Sequence, residues 1–178
     1  MQAKIQDYSI QTDSFTSHGM QCEAHFYRPI NATKNLPVVI MAHGFGAHMD
    51  FGLQPFADAF VKAGLAVFMF NYRGFGQSEG NTRFLVNPFM HVQDWESALD
   101  YVKQKDEVNS ERIALWGSSF SGGHVLRVAA AHPEIKAVSA QVPFLDGIPT
   151  ALQTAPWVMV KSAWAGVKDV FRKLTFRS

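Results

Sequence analysis

Residues 114–126 read ALWGSSFSGGHVL, an apolar run that breaks into three serines, three glycines and one phenylalanine before turning apolar again. A short apolar run ending in glycine suits a strand, and the residues beyond the break suit the start of a helix. The stretch therefore predicts a strand, a sharp turn and a helix. A turn of this kind holds its central residue in a strained backbone conformation, and the residues two before and two after it approach closely, so both must be small. Gly117 and Ser121 meet that demand around Ser119, and Gly122 gives further room. The pattern is GxSxS, with serine where a second glycine is usual. Ser121 is a rival centre, flanked by Ser119 and Gly123, but it would lie inside the helix. The bland alternative is a glycine-rich turn that packs helix on strand, or a phosphate loop. Neither GxGxxG nor GxxxxGK[ST] is present, so no nucleotide fingerprint supports the latter.

Working outward, Leu36–His43 (LPVVIMAH) and Leu65–Tyr72 (LAVFMFNY) are continuous apolar runs of the kind a strand buried on both faces needs. Glu23 to Pro29 alternates, as a half-buried strand does. Between the apolar runs, Phe51 to Gly64 has helical spacing at Phe56, Ala59, Phe60 and Ala63, and Gly64 suits a helix stop. A helix from about Pro88 to Lys103, a strand from Arg112, a helix from Ser119 to about His132 and a strand from Ile135 follow. Buried strands alternating with helices predict an α/β fold with a mostly parallel sheet covered on both faces, because parallel strands need crossover connections. Ligands in such sheets bind at the carboxyl ends of the strands. Attention falls on the loops after His43, Tyr72, Gly117 and Pro143.

Composition bounds the partners. With 178 residues, 47% hydrophobic and 17% charged, the chain can bury a substantial core. A net charge of +1 with scattered Lys and Arg gives no basic stripe for nucleic acid. Cys22 is the single cysteine, which excludes an internal disulfide and any CxxC site and points to a reducing, cytoplasmic setting. No secretory leader or membrane span is legible.

The loop His43-Gly44-Phe45-Gly46 can present the backbone N–H of Phe45, and the turn that of Phe120. Acyl transfer needs donors aimed at the oxygen that becomes negative, and losing one costs about 3–4 kcal/mol of barrier. These two amides are the expected oxyanion hole, with His43 read as a residue that pins the loop. HGFG, then NYRGFGQSEG from Asn71, then WGSSFSGG resemble, in order and rough spacing, the α/β-hydrolase superfamily, and within it the dienelactone hydrolase and X-Pro peptidase-like group. The resemblance covers about residues 20 to 147. It implies Ser119 as nucleophile, hydrolysis of a small-molecule ester or amide through an acyl-enzyme, and no cofactor or metal. It also implies that Gly74 and Gly76 are turn glycines, with Arg73 and Ser78 bracing their loop.

A serine hydroxyl needs a positioned base, usually a histidine held by a carboxylate. In this superfamily both follow the serine. Only His124 and His132 lie beyond Ser119. Along a helix they would sit roughly 7 Å and roughly 20 Å from it, pointing away. His43 and His48 on the oxyanion-side loop are weaker substitutes, and His18, His25 and His91 show no catalytic placement. Asp146 is a candidate acid, though a turn or helix-cap role suits it better. Asp94 and Glu96 read as solvent-facing or capping residues.

After Gly147 the character changes. Trp157, Val160, Trp164, Val167, Phe171 and Leu174 define one apolar helical face, and from Ala155 five basic residues stand against one acidic. This predicts a core at 1–147 and the start of a helical lid or cap at 148–178, with a membrane-surface helix as the alternative reading. The expected chain is the N-terminal part of a hydrolase, impaired because the triad histidine is missing. The alternative is a catalytically degenerate binding or interaction protein. A sheet cut short would leave an apolar edge at the Ile135 strand. Phe45, Phe51, Trp116, Phe120, Phe144 and Trp157 suggest an apolar pocket, though each could equally be core.

Overall fold

The computed structural model describes residues 8–31 and 34–175. Two units divide the chain, Met1–Phe144 and Leu145–Ser178. The first holds strands β1 (Tyr8–Ser17), β2 (Met20–Pro29), β3 (Leu36–Ala42), β4 (Ala66–Phe70), β5 (Val108–Ser118) and β6 (Ala137–Gln141), with helices α1 (Gln54–Lys62), α2 (Pro88–Lys103) and α3 (Phe120–Ala131).

The sheet runs β1-β2-β4-β3-β5-β6. β4, β3, β5 and β6 are parallel to their neighbours, whereas β1 and β2 form an antiparallel hairpin that joins β4 antiparallel. The apolar runs are continuous because alternate residues serve opposite faces. Val38, Ile40, Ala42, Phe68, Phe70, Ile113 and Leu115 pack on one face with Trp95, Leu99, Val125 and Val128 of α2 and α3. Val39, Met41, Val67, Met69 and Trp116 pack on the other with Ala57 and Val61 of α1. Each fully buried side chain of this kind contributes about 1.5–3 kcal/mol.

Local signals set the helix ends. Asn87 accepts the N–H groups of Phe89 and Met90 on its side chain, and Pro88 fills the first helical position of α2, which lacks a donor anyway. Gly64, at φ 88°, stops α1.

Two expectations need correction, and one strand was not foreseen. The fully buried positions of α1 are Ala57 and Val61; of the expected Phe56, Ala59, Phe60 and Ala63, Phe60 is partly buried, Phe56 is exposed with its ring against Trp116, and Ala59 and Ala63 are exposed. Asp94 is wholly buried in α2 instead of facing solvent, since Arg73 needs a counter-charge there. The hairpin adds β1, which pairs over ten residues yet buries only Tyr8, Phe15 and Ser17, so its sequence carries little apolar signal. The His18–Gly19 turn between β1 and β2 has both φ angles positive (47° and 79°), as a two-residue hairpin requires.

The second unit holds α4 (Gly147–Leu152) and α5 (Pro156–Thr175). Trp157, Val160, Trp164, Val167 and Phe171 recur along α5 and are exposed. The side chains of Lys173 and Leu174 lie outside the described residues. No described helix is long and apolar enough to cross a membrane.

Candidate active site

Ser119 sits at the junction of β5 and α3 with φ 57° and ψ −118°, a conformation that L side chains rarely adopt. Three backbone bonds hold it there. Its N–H donates to the Gln141 carbonyl at the end of β6 (2.9 Å), and its own carbonyl accepts from Gly123 (3.3 Å) and Phe144 (2.9 Å). The Ser119 side chain is exposed and makes no capping bond to its helix, so its hydroxyl is presented outward.

The neighbours show why the turn needs small residues. A Cβ on Gly117 would lie 2.4 Å from the Ser121 carbonyl oxygen, and one on Gly122 would lie 3.0 Å from Pro143 Cα. Ser121 is fully buried and tolerated because its Oγ accepts from the Tyr72 hydroxyl (3.2 Å), which in turn accepts from Trp95 Nε1 (3.0 Å). The serine that departs from GxSxG is thus the end of a buried polar chain reaching α2. Burial pushes the Tyr72 phenol well above its ordinary pKa, so it stays a donor.

The HGFG loop meets the same turn. A Cβ on Gly44 would stand 3.1 Å from the Ser118 carbonyl oxygen, 3.4 Å from Ser119 Cβ and 3.9 Å from the Phe120 nitrogen. Phe120 is the first residue of α3, where N–H groups lack intrahelical acceptors. The rings of Phe45 and Phe120 meet edge-on at 5.7 Å. The RGFG loop is braced from below. Arg73 is buried in an ion pair with Asp94, which also accepts from Ser17 (2.6 Å) and from the Arg73 N–H (3.0 Å). Ser78 Oγ takes the Glu23 N–H and donates to the Asn71 carbonyl, both at 2.9 Å. Gly76, at φ 50°, has no room for a side chain, as its Cβ would fall 2.0 Å from Asn71 Nδ2.

The histidines stand elsewhere. His43, His91 and His124 are buried around Tyr72, with ring centres 4.7, 4.0 and 6.1 Å from it. His43 donates from Nδ1 to the Gly44 carbonyl (3.0 Å). Among the described residues, His43 Nε2, both His91 ring nitrogens and His124 Nε2 have no hydrogen-bond partner. The Leu85 backbone lies near enough to favour a proton on His91 slightly, without a bond of normal geometry. Burial lowers the three pKa values to about 4, about 3 and about 4. His48 faces Asp50 at 3.3 Å, and His132 bridges Glu96 and Glu134 at the far end of α3. Among the described residues no histidine bonds to Ser119. Asp146 accepts the Ile148 N–H (2.8 Å), the bond of a residue that caps a turn. No group of described residues could hold a metal ion.

The Tyr72 chain and the histidine cluster were not read from the sequence. The signal available was the stripe His91, Asp94, Trp95, Ala98, Leu99 and Val102 on α2, in which two polar residues share the buried face.

A mostly parallel sheet with this strand order, a positive-φ serine between β5 and α3 and a glycine loop after β3 define an α/β-hydrolase. Residues 33–176 match the family described as serine aminopeptidase, S33, and the chain belongs to it. It is 37% identical over 155 residues to the quorum-quenching protein AidA of Acinetobacter baumannii, covering 87% of this chain and 51% of that protein. It is 28% identical to the thiohydrolase aneE of Aspergillus aculeatus, covering 76% and 42% respectively. The α/β-hydrolase GrgF from Penicillium superposes with a TM-score of 0.73 at 26% identity, over 87% of this chain and 53% of that one. The chain thus spans about half or less of the curated relatives it matches.

Proposed function

We propose that this chain carries the nucleophile and oxyanion side of a serine hydrolase, carboxylesterase-like, that cleaves small-molecule esters or amides through an acyl-enzyme at Ser119. The observation that carries the reading is the exposed Ser119, held at φ 57° between β5 and α3 by three backbone hydrogen bonds. In this scheme Ser119 Oγ attacks the carbonyl carbon, and the oxygen that becomes negative is met by the Phe45 and Phe120 N–H groups. Collapse expels the alcohol or amine, and water then releases the acid. Relatives that include a thiohydrolase support acyl chemistry.

The base that takes the Ser119 proton would follow the serine in this superfamily, with its acid before it. The chain covers 51% of its relative AidA, and both groups are assigned to the part of the protein that it does not cover. α4 and α5 are read as the start of a lid, and the buried Cys22 suits a cytoplasmic setting. A second reading, a non-catalytic binding domain, draws on the lack of any histidine bonded to Ser119 among the described residues.

A nitrophenyl acetate assay of the 178-residue chain tests the scheme, together with labelling by a fluorophosphonate. Slow labelling confined to Ser119, lost in Ser119→Ala, with little turnover, is the expected result. Fast turnover that survives Ser119→Ala would refute it, and no labelling at Ser119 would favour the binding domain.

A further inference from the structure

We infer that the acyl group taken beside Ser119 is a neutral aromatic one, held edge-to-face by the row Phe45, Phe120 and Phe144. This rests on the hydrolase reading above and adds the substrate class to it. The six aromatic residues that the sequence offers for a pocket are sorted by the fold. Trp116 is buried against Phe56 on the α1 face, Phe51 lies by His48, and Trp157 belongs to the second unit. The other three are contiguous. Phe45 and Phe120 rings stand 5.7 Å apart at 81°, and Phe120 and Phe144 rings 5.9 Å apart at 46°.

The row is fixed to the serine rather than merely near it. Phe120 follows Ser119 in sequence, the Phe144 N–H donates to the Ser119 carbonyl, and Gly44, next to Phe45, abuts Ser119 Cβ. Two of the rings remain open to solvent, Phe45 at 69% and Phe144 at 37%. Aromatic pairs in edge-to-face or offset geometry gain more than their area burial alone, so exposed rings have a further ring to gain from. A saturated group of the same size would be buried equally well but would lack the ring quadrupole.

The nearby charges argue for a neutral group. Arg73 is committed to Asp94, Arg127 lies over Phe89, and His48 faces Asp50. The titratable rings that do pack on the row are His124 and His91, 4.6 and 5.9 Å from the Phe120 ring, and burial keeps both neutral at pH 7. An anionic acyl group would thus lose its water with no cation to replace it.

The test compares methyl phenylacetate with methyl cyclohexylacetate, which differ only in the saturation of the ring, binding to the full chain carrying Ser119→Ala. Titration followed by NMR needs no turnover, so it stands apart from the chemistry of Ser119. The phenyl ester is expected to bind about tenfold more tightly, a difference of about 1.4 kcal/mol. Phe45→Leu and Phe144→Leu, both at exposed positions, should each bring the ratio towards one while leaving the circular dichroism unchanged. Equal binding of the two esters, no binding of either, or a preference untouched by both variants would overturn the inference. Self-association lost in Phe45→Leu without ester binding would overturn it too, by giving the row to a second copy of the chain. If labelling of Ser119 fails while the ester preference holds, the hydrolase reading falls and the aromatic site remains.

Discussion

Ser119 and the histidines of its own domain occupy opposite environments. The serine is exposed, strained and held only through its backbone, whereas His43, His91 and His124 are buried, packed by aromatic rings and poor in hydrogen bonds. A hydroxyl poised for attack must be reachable, and strain there is supported by the surrounding sheet and helix. An imidazole that only fills space under the loops is desolvated and neutral, a poor proton acceptor at neutral pH. The difference teaches that this domain holds one serine strained and outward while its nearby histidines serve packing.

The largest effect that tests this contrast is acid sensitivity. All three buried histidines have native pKa values below the ordinary 6.5, first because of burial. His91 also feels His124, His43 and Arg73, His124 feels Arg127, and His43 feels His48, all of them cationic or able to become so. The unfolded chain therefore binds protons before the native one does. Stability is full above about pH 6.5 and falls as the pH drops towards the native values, by about 1.4 kcal/mol per pH unit for each histidine. Three together give about 4 kcal/mol per unit, enough to unfold a marginal domain near pH 5. Urea titrations between pH 7 and pH 5 measure it. A flat profile would show that the cluster is solvated and the contrast false. His132 should act in the opposite sense, because burial lowers its pKa but the hydrogen bonds and charges of Glu96 and Glu134 together outweigh it and leave the value raised. Its contribution is present at low pH and lost as the pH rises through its native value.

Gly117→Ala comes next, and it probes the serine's side. The added Cβ would meet backbone of Ser121 at 2.4 Å, which cannot swing aside as a side chain could. A loss of about 3 kcal/mol is expected, read from the urea midpoint at neutral pH. His91→Phe follows. It keeps the ring stacked on Tyr72 and removes two unpartnered nitrogens. Stability at pH 7 should hold or rise, and the acid slope should shrink by about 1.4 kcal/mol per pH unit. An unchanged slope would assign the acid sensitivity to other groups.

The same contrast explains what the sequence made legible. The runs LPVVIMAH and LAVFMFNY announce β3 and β4 because both faces of those strands are covered, so every residue carries the signal. The turn at Ser119 is legible because a Cβ at Gly117 has nowhere to go. β1 is hard to see because most of its residues face solvent, and its clearest mark is the His18–Gly19 turn. Asp94 and His91 mislead because residue type suggests a surface, while the partners that bury them, Arg73, Ser17 and Tyr72, come from other loops and strands. Ser121 departs from the expected glycine for a reason that lies 49 residues away in sequence, at Tyr72.

The smallest effect is the most direct test of what Ser119 is for. At φ 57° and ψ −118° a serine is strained by roughly 1–3 kcal/mol, whereas glycine adopts positive φ freely. Ser119→Gly also gives the unfolded chain more freedom, which offsets about 0.5–1 kcal/mol of that relief. A net gain in stability of about 1 kcal/mol is therefore expected at pH 7, with loss of fluorophosphonate labelling. Loss of stability instead would mean that the serine side chain supports the turn, and its exposure would then have a structural explanation. A gain would mean that the chain keeps, at an exposed turn, a residue its own fold disfavours, which is the outcome that chemistry at Ser119 predicts.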